Sequence, residues 1–524
     1  MARRATITRG CAEARLADLA QEPFAQSSPW DLAVAMVRQV AGPKNADAGA
    51  RRFARGPIPA DRSYRRAHPA AVRPLQRESG HLLPKQFFLA SEINELLKRA
   101  MARFGAFCFP GTGHLNPMTA LAHSLQLRGH EVAIFGIADT EEGVRAAGIE
   151  FHRIGAEDYP PGTLKRLDEQ LARLKGIAAF RFTLERVRNS TRMVLRDGPE
   201  AVRTANVGAL LVDEAEFAGN VADHLGLPWI SIALIPPLLR DDRFPPFWLG
   251  WAAGQDRLSR LRNRLAIHLL LRIATPIFRE VNQRRSAWGL KPHTRPEEGL
   301  SSLAQITQLP EALEFEIRGK KPAGLHYTGP FLHAQQRPAV DFPWVRLDGR
   351  PLIYASLGTL QNGSEAIFRT ITDACAGLGA QLLISLGGGL DPARLGKLAG
   401  DPLVVRVAPQ LEILKRAALV ITHAGLNTVL ESLSEGVPLV AVPLGNDQPG
   451  VAARLKARGA CVVVSRHRLN PARLRKAVML VLQDARYREA AQVLQRAIQQ
   501  LDGPDRAADL IEQVLKLRST QPLA

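Results

Sequence analysis

The chain has 524 residues, about three times the usual single-domain length, so at least two packed cores are expected. Hydrophobic residues at 46%, charged residues at 23% and aromatics at 6% exclude wholesale disorder and fibrous repeats. The 69 Lys plus Arg against 50 Asp plus Glu give a formal charge of +19, which favours polyanions or an anionic membrane surface. The basic residues are not interleaved with aromatics, so no nucleic-acid partner is expected.

Residues 1–100 carry 17 basic and 9 acidic side chains, hence +8 of that excess. The first 84 or so are rich in Ala, Arg and Pro, have no sustained period of two or 3.6, and contain breaker pairs at Gly42-Pro43 and Gly56-Pro57. They read as a poorly ordered basic extension. Met101 directly precedes a strand-like run, so this segment is either a genuine extension or the product of a start codon placed too far upstream. Ile93, Leu96, Leu97 and Met101 stand at helical spacing between Ser91 and Arg103. Arg3 and Arg4 are followed by no apolar h-region, and no stretch offers the ~18–20 uncharged apolar residues of a membrane span. Cys11, Cys108, Cys375 and Cys461 show no CxxC spacing, which argues against a thiolate zinc site or a disulfide framework. A cytoplasmic protein is expected.

From Phe104 onward short apolar runs alternate with helical stretches. Phe104–Phe109, Val132–Ile137, Ala209–Val212 and Trp229–Ala233 are near-continuously apolar, as buried parallel strands are. The pattern breaks over a Pro-containing stretch and resumes at Leu352–Leu357, Leu382–Leu386, Leu403–Val407, Leu419–Thr422, Leu439–Val442 and Cys461–Val464. The expected architecture is α/β: two doubly wound Rossmann-like domains, 101–332 and 349–500, joined by a linker at 333–348. A helix within 501–524 is expected to pack back towards the first domain. After Ser364, which is placed to cap, Ile367, Ile371, Cys375 and Leu378 recur on one helix face, making Cys375 a core residue. Doubly wound sheets bind ligands at the carboxyl ends of their strands.

Four such strand ends carry candidate chemistry. In Phe109-Pro110-Gly111-Thr112-Gly113-His114-Leu115-Asn116-Pro117 a GxGxxG fingerprint fails, because Asn116 stands where a third small residue is needed. What remains is a histidine at a strand-to-helix turn. An imidazole is a natural general base near neutral pH when a carboxylate orients it, and Asp213 at another strand end is the candidate partner; the alternative is a structural histidine in a turn. After the strand at Leu419–Thr422 comes His423-Ala424-Gly425-Leu426-Asn427-Thr428-Val429-Leu430-Glu431, which suits a phosphate approaching amides at a helix N-terminus. It equally suits an ordinary helix capped by Asn427 or Thr428. Glu431, one turn on, would reach a ribose or lie on the surface. Ser356-Leu357-Gly358-Thr359 offers hydroxyl and amide donors or a plain turn, and Asp447 with Gln448 offers polar groups for sugar hydroxyls.

The span from Val407-Ala408-Pro409-Gln410 through His423-Ala424-Gly425-Leu426-Asn427-Thr428 to Asp447-Gln448 resembles the nucleotide-sugar signature of the UDP-dependent glycosyltransferases of family 1, which have the GT-B fold. Within that family Ala355–Gln361, Leu303–Leu309 and Asp447–Arg454 read like the bacterial zeaxanthin (carotenoid) glucosyltransferases. The resemblance implies that His114 deprotonates an acceptor hydroxyl and that Asp213 orients it. It implies that His423, Gly425, Asn427, Thr428, Ser356, Gly358 and Thr359 surround the diphosphate and that Glu431 binds the ribose. Val407, Ala408 and Gln410 would then meet the uracil, and Asp447 and Gln448 the transferred hexose. Many plant relatives have Trp where this chain has Val407, which weakens base stacking. The implied reaction is a single inverting displacement that needs no metal and no cofactor, with a UDP-sugar as co-substrate.

The acceptor is to be read from the first half. Phe244-Pro245-Pro246-Phe247-Trp248-Leu249-Gly250-Trp251 concentrates four of thirty aromatics in eight residues, and Leu261–Val281 follows with Arg262, Arg264, Arg272 and Arg279 among apolar positions. Phe244, Phe247 and Trp248 beside a basic amphipathic helix suit a lipophilic acceptor taken from an anionic membrane in peripheral contact, or else pack a core. A hydroxylated carotenoid is the leading acceptor; a sterol, terpenoid, macrolide or other lipophilic alcohol is the alternative. A non-catalytic GT-B binding protein is a further reading, against which the presence of both His114 and Asp213 argues.

Overall fold

The computed structural model describes residues 101–174, 176–239, 241–332, 340–358, 365–388 and 390–517. The extension over 1–100, Thr359 and the Ser364 cap lie outside these residues, as does 333–339 of the expected linker.

In the first half, β1 (Arg103–Phe107), β2 (Glu131–Gly136), β3 (Glu150–Arg153), β4 (Ala209–Asp213), β5 (Trp229–Ala233), β6 (Gln305–Thr307) and β7 (Leu325–Tyr327) form one sheet. Its order is β3-β2-β1-β4-β5-β6-β7 and every pair is parallel. In the second half, β8 (Leu352–Ser356), β9 (Gln381–Ser385), β10 (Leu403–Val405), β11 (Ala417–Thr422), β12 (Leu439–Ala441) and β13 (Cys461–Val463) pair in the order β10-β9-β8-β11-β12-β13, again all parallel. Two doubly wound α/β halves are thus present. Every residue of β4, β5, β8 and β9 is buried, the consequence of helices on both faces and the reason these strands read as unbroken apolar runs. The sequence reading missed β3, β6 and β7. β3 is largely polar, Glu-Phe-His-Arg, and β6 and β7 have three residues each, too short for any period to show.

The strand orders fix where ligands can go. β1 lies between β2 and β4, and β8 lies between β9 and β11, so in each sheet the winding reverses beside the first strand and opens a crevice at the carboxyl ends. Into these crevices run the turns entering α1 (Thr112–Leu127) after β1 and α9 (Leu426–Ser434) after β11.

The two halves exchange pieces of core. α13 (Gly503–Val514) places Ala507, Ala508 and Ile511 among Phe104, Leu121 and Leu125 of the first half. Its carboxylates meet Arg128, whose Nη1 donates to Asp509 Oδ1 at 2.5 Å, and His130, 3.1 Å from Glu512 Oε1. In return Leu309 and Leu313, between β6 and β7, join the second half's core. Next to them Glu314 takes the Arg454 Nε–H at 2.7 Å, with the two side chains only 4% and 2% exposed. Removing one partner of such a pair leaves a buried uncompensated charge and costs about 3–5 kcal/mol.

Candidate active site

His114 sits in the first turn of α1, where the helix backbone aims its ring across the end of β4. Its Nδ1 lies 2.6 Å from Asp213 Oδ2, and Asp213 is fully buried. The carboxylate is held from two further sides: Phe109 N–H donates to Oδ2 and Ala215 N–H to Oδ1, each at 3.1 Å. Burial opposes charge on the imidazole, but the Asp213 carboxylate, its hydrogen bond and the nearby Asp447 and Glu216 outweigh it, so the His114 pKa stands above its ordinary value. With Nδ1–H committed to Asp213, Nε2 carries the lone pair. That is the arrangement of an oriented general base.

Beneath the pair lie two acids that sequence reasoning did not single out. Glu216 is 6% exposed, accepts from Ser190 Oγ at 2.9 Å, and is pushed up to about 8 by burial, with the Asp213 charge adding to the shift. Glu214 is pushed up to about 7 by burial, although the Leu238 N–H and the Gln305 amide bond to it. The run Asp213-Glu214-Ala215-Glu216 at a strand end was the available signal.

Across the crevice stands the second half's turn. α9 begins at Gly425 with no side chain capping it, so its first amides are left for a ligand. The turn before it is strained: Ala424 takes φ +68, a left-handed conformation uncommon for a residue with a Cβ. That twist places the His423 ring between two glycines. A Cβ at Gly358 would lie 2.7 Å from its Cε1, and one at Gly425 would lie 2.5 Å from its Nε2. Burial pushes the His423 pKa down to about 4, while a hydrogen bond to the Ser356 backbone works the other way. The ring is therefore neutral at physiological pH, with its one N–H engaged by the Ser356 backbone. Ser356 closes β8, and its Oγ accepts the Gly358 N–H at 3.4 Å.

The remaining predicted donor residues fall around this turn. Thr428 and Glu431 are buried on α9. Gln410, opening α8 (Gln410–Leu414), donates to Glu431 Oε2 at 2.6 Å and accepts from Tyr354 Oη at 2.9 Å, a small buried network. Val407 is 46% exposed just after β10, and Ala408 is buried. Asp447 precedes α10 (Gln448–Ala457), and burial raises its carboxyl to about 6. Gln448 turns back on its own loop, its Oε1 accepting from Leu444 N–H at 2.8 Å and Gly445 N–H at 3.0 Å. Asn427 does something else: its Nδ2 donates to Gly113 O at 2.8 Å, and its Oδ1 accepts from Gln308 Nε2 at 3.1 Å. A side chain of the second half thus grips the residue next to His114. Gln308 also donates to Leu234 O at 2.7 Å; in the sequence it was one polar residue within Leu303–Leu309 and carried no separate signal.

Residues 294–521 match the UDP-glucoronosyl and UDP-glucosyl transferase family, and residues 109–195 match the glycosyltransferase family 28 N-terminal domain. The zeaxanthin glucosyltransferase of Pantoea ananas is 32% identical over 418 residues, 79% of this chain and 96% of that protein. The chain belongs to the family 1 UDP-glycosyltransferases. The zeaxanthin glucosyltransferase of Pseudescherichia vulneris is also 32% identical, over 79% of this chain and 98% of that protein. Among solved structures, the glycotransferase of kitacinnamycin matches with a TM-score of 0.61 at 22% identity, over 79% of this chain and 98% of that one. The fold of this glycosyltransferase is GT-B.

The aromatic segment of the glycosyltransferase divides. Phe244 is 3% exposed and turned into the protein, whereas Phe247 and Trp248 are half-buried and meet edge to face at 5.1 Å. The segment presses on the start of α10: a Cβ at Gly450 would come 1.9 Å from the Phe247 carbonyl oxygen, so only glycine admits this approach. Phe247 and Trp248 are thereby held beside the Asp447-Gln448 turn.

Proposed function

We propose that this glycosyltransferase moves a hexose, glucose in the first instance, from UDP to a hydroxyl of a lipophilic acceptor of the hydroxylated carotenoid class, with inversion at the anomeric carbon. The observation that carries the reading is the His114–Asp213 pair at 2.6 Å, tied through Asn427 and Gly113 to the uncapped start of α9. His114 Nε2 takes the acceptor proton while the acceptor oxygen bonds to the anomeric carbon. The bond from that carbon to the diphosphate oxygen breaks, and UDP leaves with the electron pair. The charge that develops is met by the α9 amides, fixed donors that need no reorganisation. Gln410 and Glu431 would meet the nucleoside and Asp447 the sugar. Acceptor class is supported by the two zeaxanthin glucosyltransferases among the relatives and by Phe247 and Trp248 against the sugar turn.

The test expresses the full chain, and a His114→Ala variant, in cells that accumulate zeaxanthin, with pigments read by chromatography and mass spectrometry. Hexosylated pigment with the wild type alone is the expected result, the variant retaining UDP affinity near wild type. Unchanged pigment from a chain that binds UDP overturns the carotenoid acceptor; a variant that keeps most of its rate overturns the base assignment.

A further inference from the structure

α6 (Arg257–Ala287) is a helix of 31 residues whose first turns are unlike any other surface described here. Leu258, Leu261, Leu265, Leu269 and Ile273 are 78%, 49%, 61%, 61% and 41% exposed. Their spacing of three, four, four and four puts all five on one face over more than four turns. Large apolar side chains scattered singly on a surface need no explanation, but a continuous row does. Directly before each stands a basic or imidazole side chain, Arg257, Arg260, Arg264, His268 and Arg272, every one of them exposed. With the same spacing, these form a second row beside the first. The whole helix holds eight arginines against one acid, Glu280. Asp242 pairs with Arg260 at 2.8 Å and Arg264 at 2.6 Å, which tempers the row without hiding it, since those arginines stay 47% and 68% exposed.

We propose that the first turns of α6 dock this protein on an anionic phospholipid surface, the leucine row entering the headgroup boundary and the arginine row resting on lipid phosphates. Charge decides between this and a second copy of the chain, because two such faces would bring two basic rows together, whereas an anionic bilayer meets both rows at once. Nothing in the helix crosses the membrane: among the described residues no helix is long and apolar enough to do so. The face is also joined to the site. The Arg262 guanidinium lies over the Trp251 ring at 4.4 Å and donates to Ala252 O at 3.1 Å, so the helix start is fastened to the aromatic segment that leads to Gly450. The use of docking, delivery of a lipophilic alcohol to Phe247 and Trp248, rests on the acceptor reading above; the docking itself does not.

The test is flotation of the full chain, without acceptor, on vesicles of phosphatidylcholine containing phosphatidylglycerol and on vesicles of phosphatidylcholine alone. The protein is expected to float with the anionic vesicles, to be released by high salt, and to stay behind with the neutral ones. Leu265→Gln with Leu269→Gln should reduce partition by about tenfold or more, and Arg257→Gln with Arg272→Gln by a similar factor, at roughly fivefold for each charge. UDP-sugar hydrolysis in vesicle-free buffer should be unchanged in both, which shows that they fold. Absence of flotation, or flotation that the leucine variant leaves intact, overturns the proposal. So does a dimer, seen by light scattering, that the leucine variant dissolves. Because no acceptor is present, failure here leaves the acceptor reading standing, and unchanged pigments in cells leave docking standing.

Discussion

The two halves put their chemistry at the same topological place and equip it in opposite ways. At the end of β4 the first half gathers acids, Asp213, Glu214 and Glu216, exposed by 0%, 6% and 6%. At the end of β11 the second half gathers almost no charge: an uncapped helix start, two glycines against a ring and a histidine pushed down to about 4. In a chain of net charge +19, the segments 356–359, 407–410, 422–431 and 443–448 contain no Lys or Arg. On the proposed mechanism the difference follows from two tasks. A base must have a pKa near ambient pH, and an acidic platform lifts an imidazole that burial alone would depress. A departing diphosphate needs donors already in place, and aligned amides in a partly buried turn supply them without countercharge.

The largest effect should come from breaking the acidic side. Asp213→Asn keeps the shape and removes the charge, so transfer should fall by about 10²–10⁴ while UDP affinity stays within roughly twofold of wild type. The pH profile gives a second reading. On the proposed reading His114 works as its neutral form, and its pKa stands above the ordinary value. Activity of the wild type is therefore full at alkaline pH and lost as pH falls through that raised pKa. Without the carboxylate the limb should move to lower pH. A profile of kcat/KM that keeps both its height and its acid limb would sink the oriented-base account.

Asn427 tests where one half ends and the other begins. By its place in the motif it belongs with the diphosphate, but both ends of its amide are engaged elsewhere, on Gly113 O and on Gln308. Losing one such hydrogen bond removes about 0.5–1.5 kcal/mol. Asn427→Ala should accordingly lower kcat by about three- to tenfold, through a displaced His114 turn, with UDP affinity little changed. Titration calorimetry with UDP alongside steady-state kinetics separates the two roles: a loss confined to UDP binding would return Asn427 to the phosphate.

The contrast also explains what could be read from the sequence. Strands buried on both faces advertise themselves as apolar runs, so β1, β2, β4 and β5 and the whole second sheet were legible. The short strands β6 and β7 were not, because three residues carry no period. His114, Asp213 and the turn around His423 were legible because small and polar residues at strand ends have few structural reasons to be there. The contacts that join the halves were not. Gln308 and Asn427 are 119 positions apart, and Glu314 and Arg454 are 140 apart; only the folded chain reports such pairings. Glu216 was hidden for another reason. An acid in a sequence looks solvated, and only its burial against Ser190 turns it into part of the base's environment.

That acid gives the smallest effect and the finest test of the platform. Burial lifts the Glu216 carboxyl from an ordinary 4.5 to about 8, so near neutral pH it is protonated in the folded protein and ionised in the unfolded chain. The folded state binds the extra proton between those two values. The stability that this group contributes is thus highest below about 4.5, declines as pH rises, and levels off above about 8. Glu216→Gln retains an acceptor for Ser190 Oγ and cannot ionise. Thermal unfolding should show wild type and variant converging at low pH and parting by about 2–4 °C at pH 8.5, with the variant the more stable. Parallel melting curves would mean that the folded protein holds the Glu216 carboxyl no more tightly protonated than the unfolded chain does, and that the charge beneath the base is Asp213 alone.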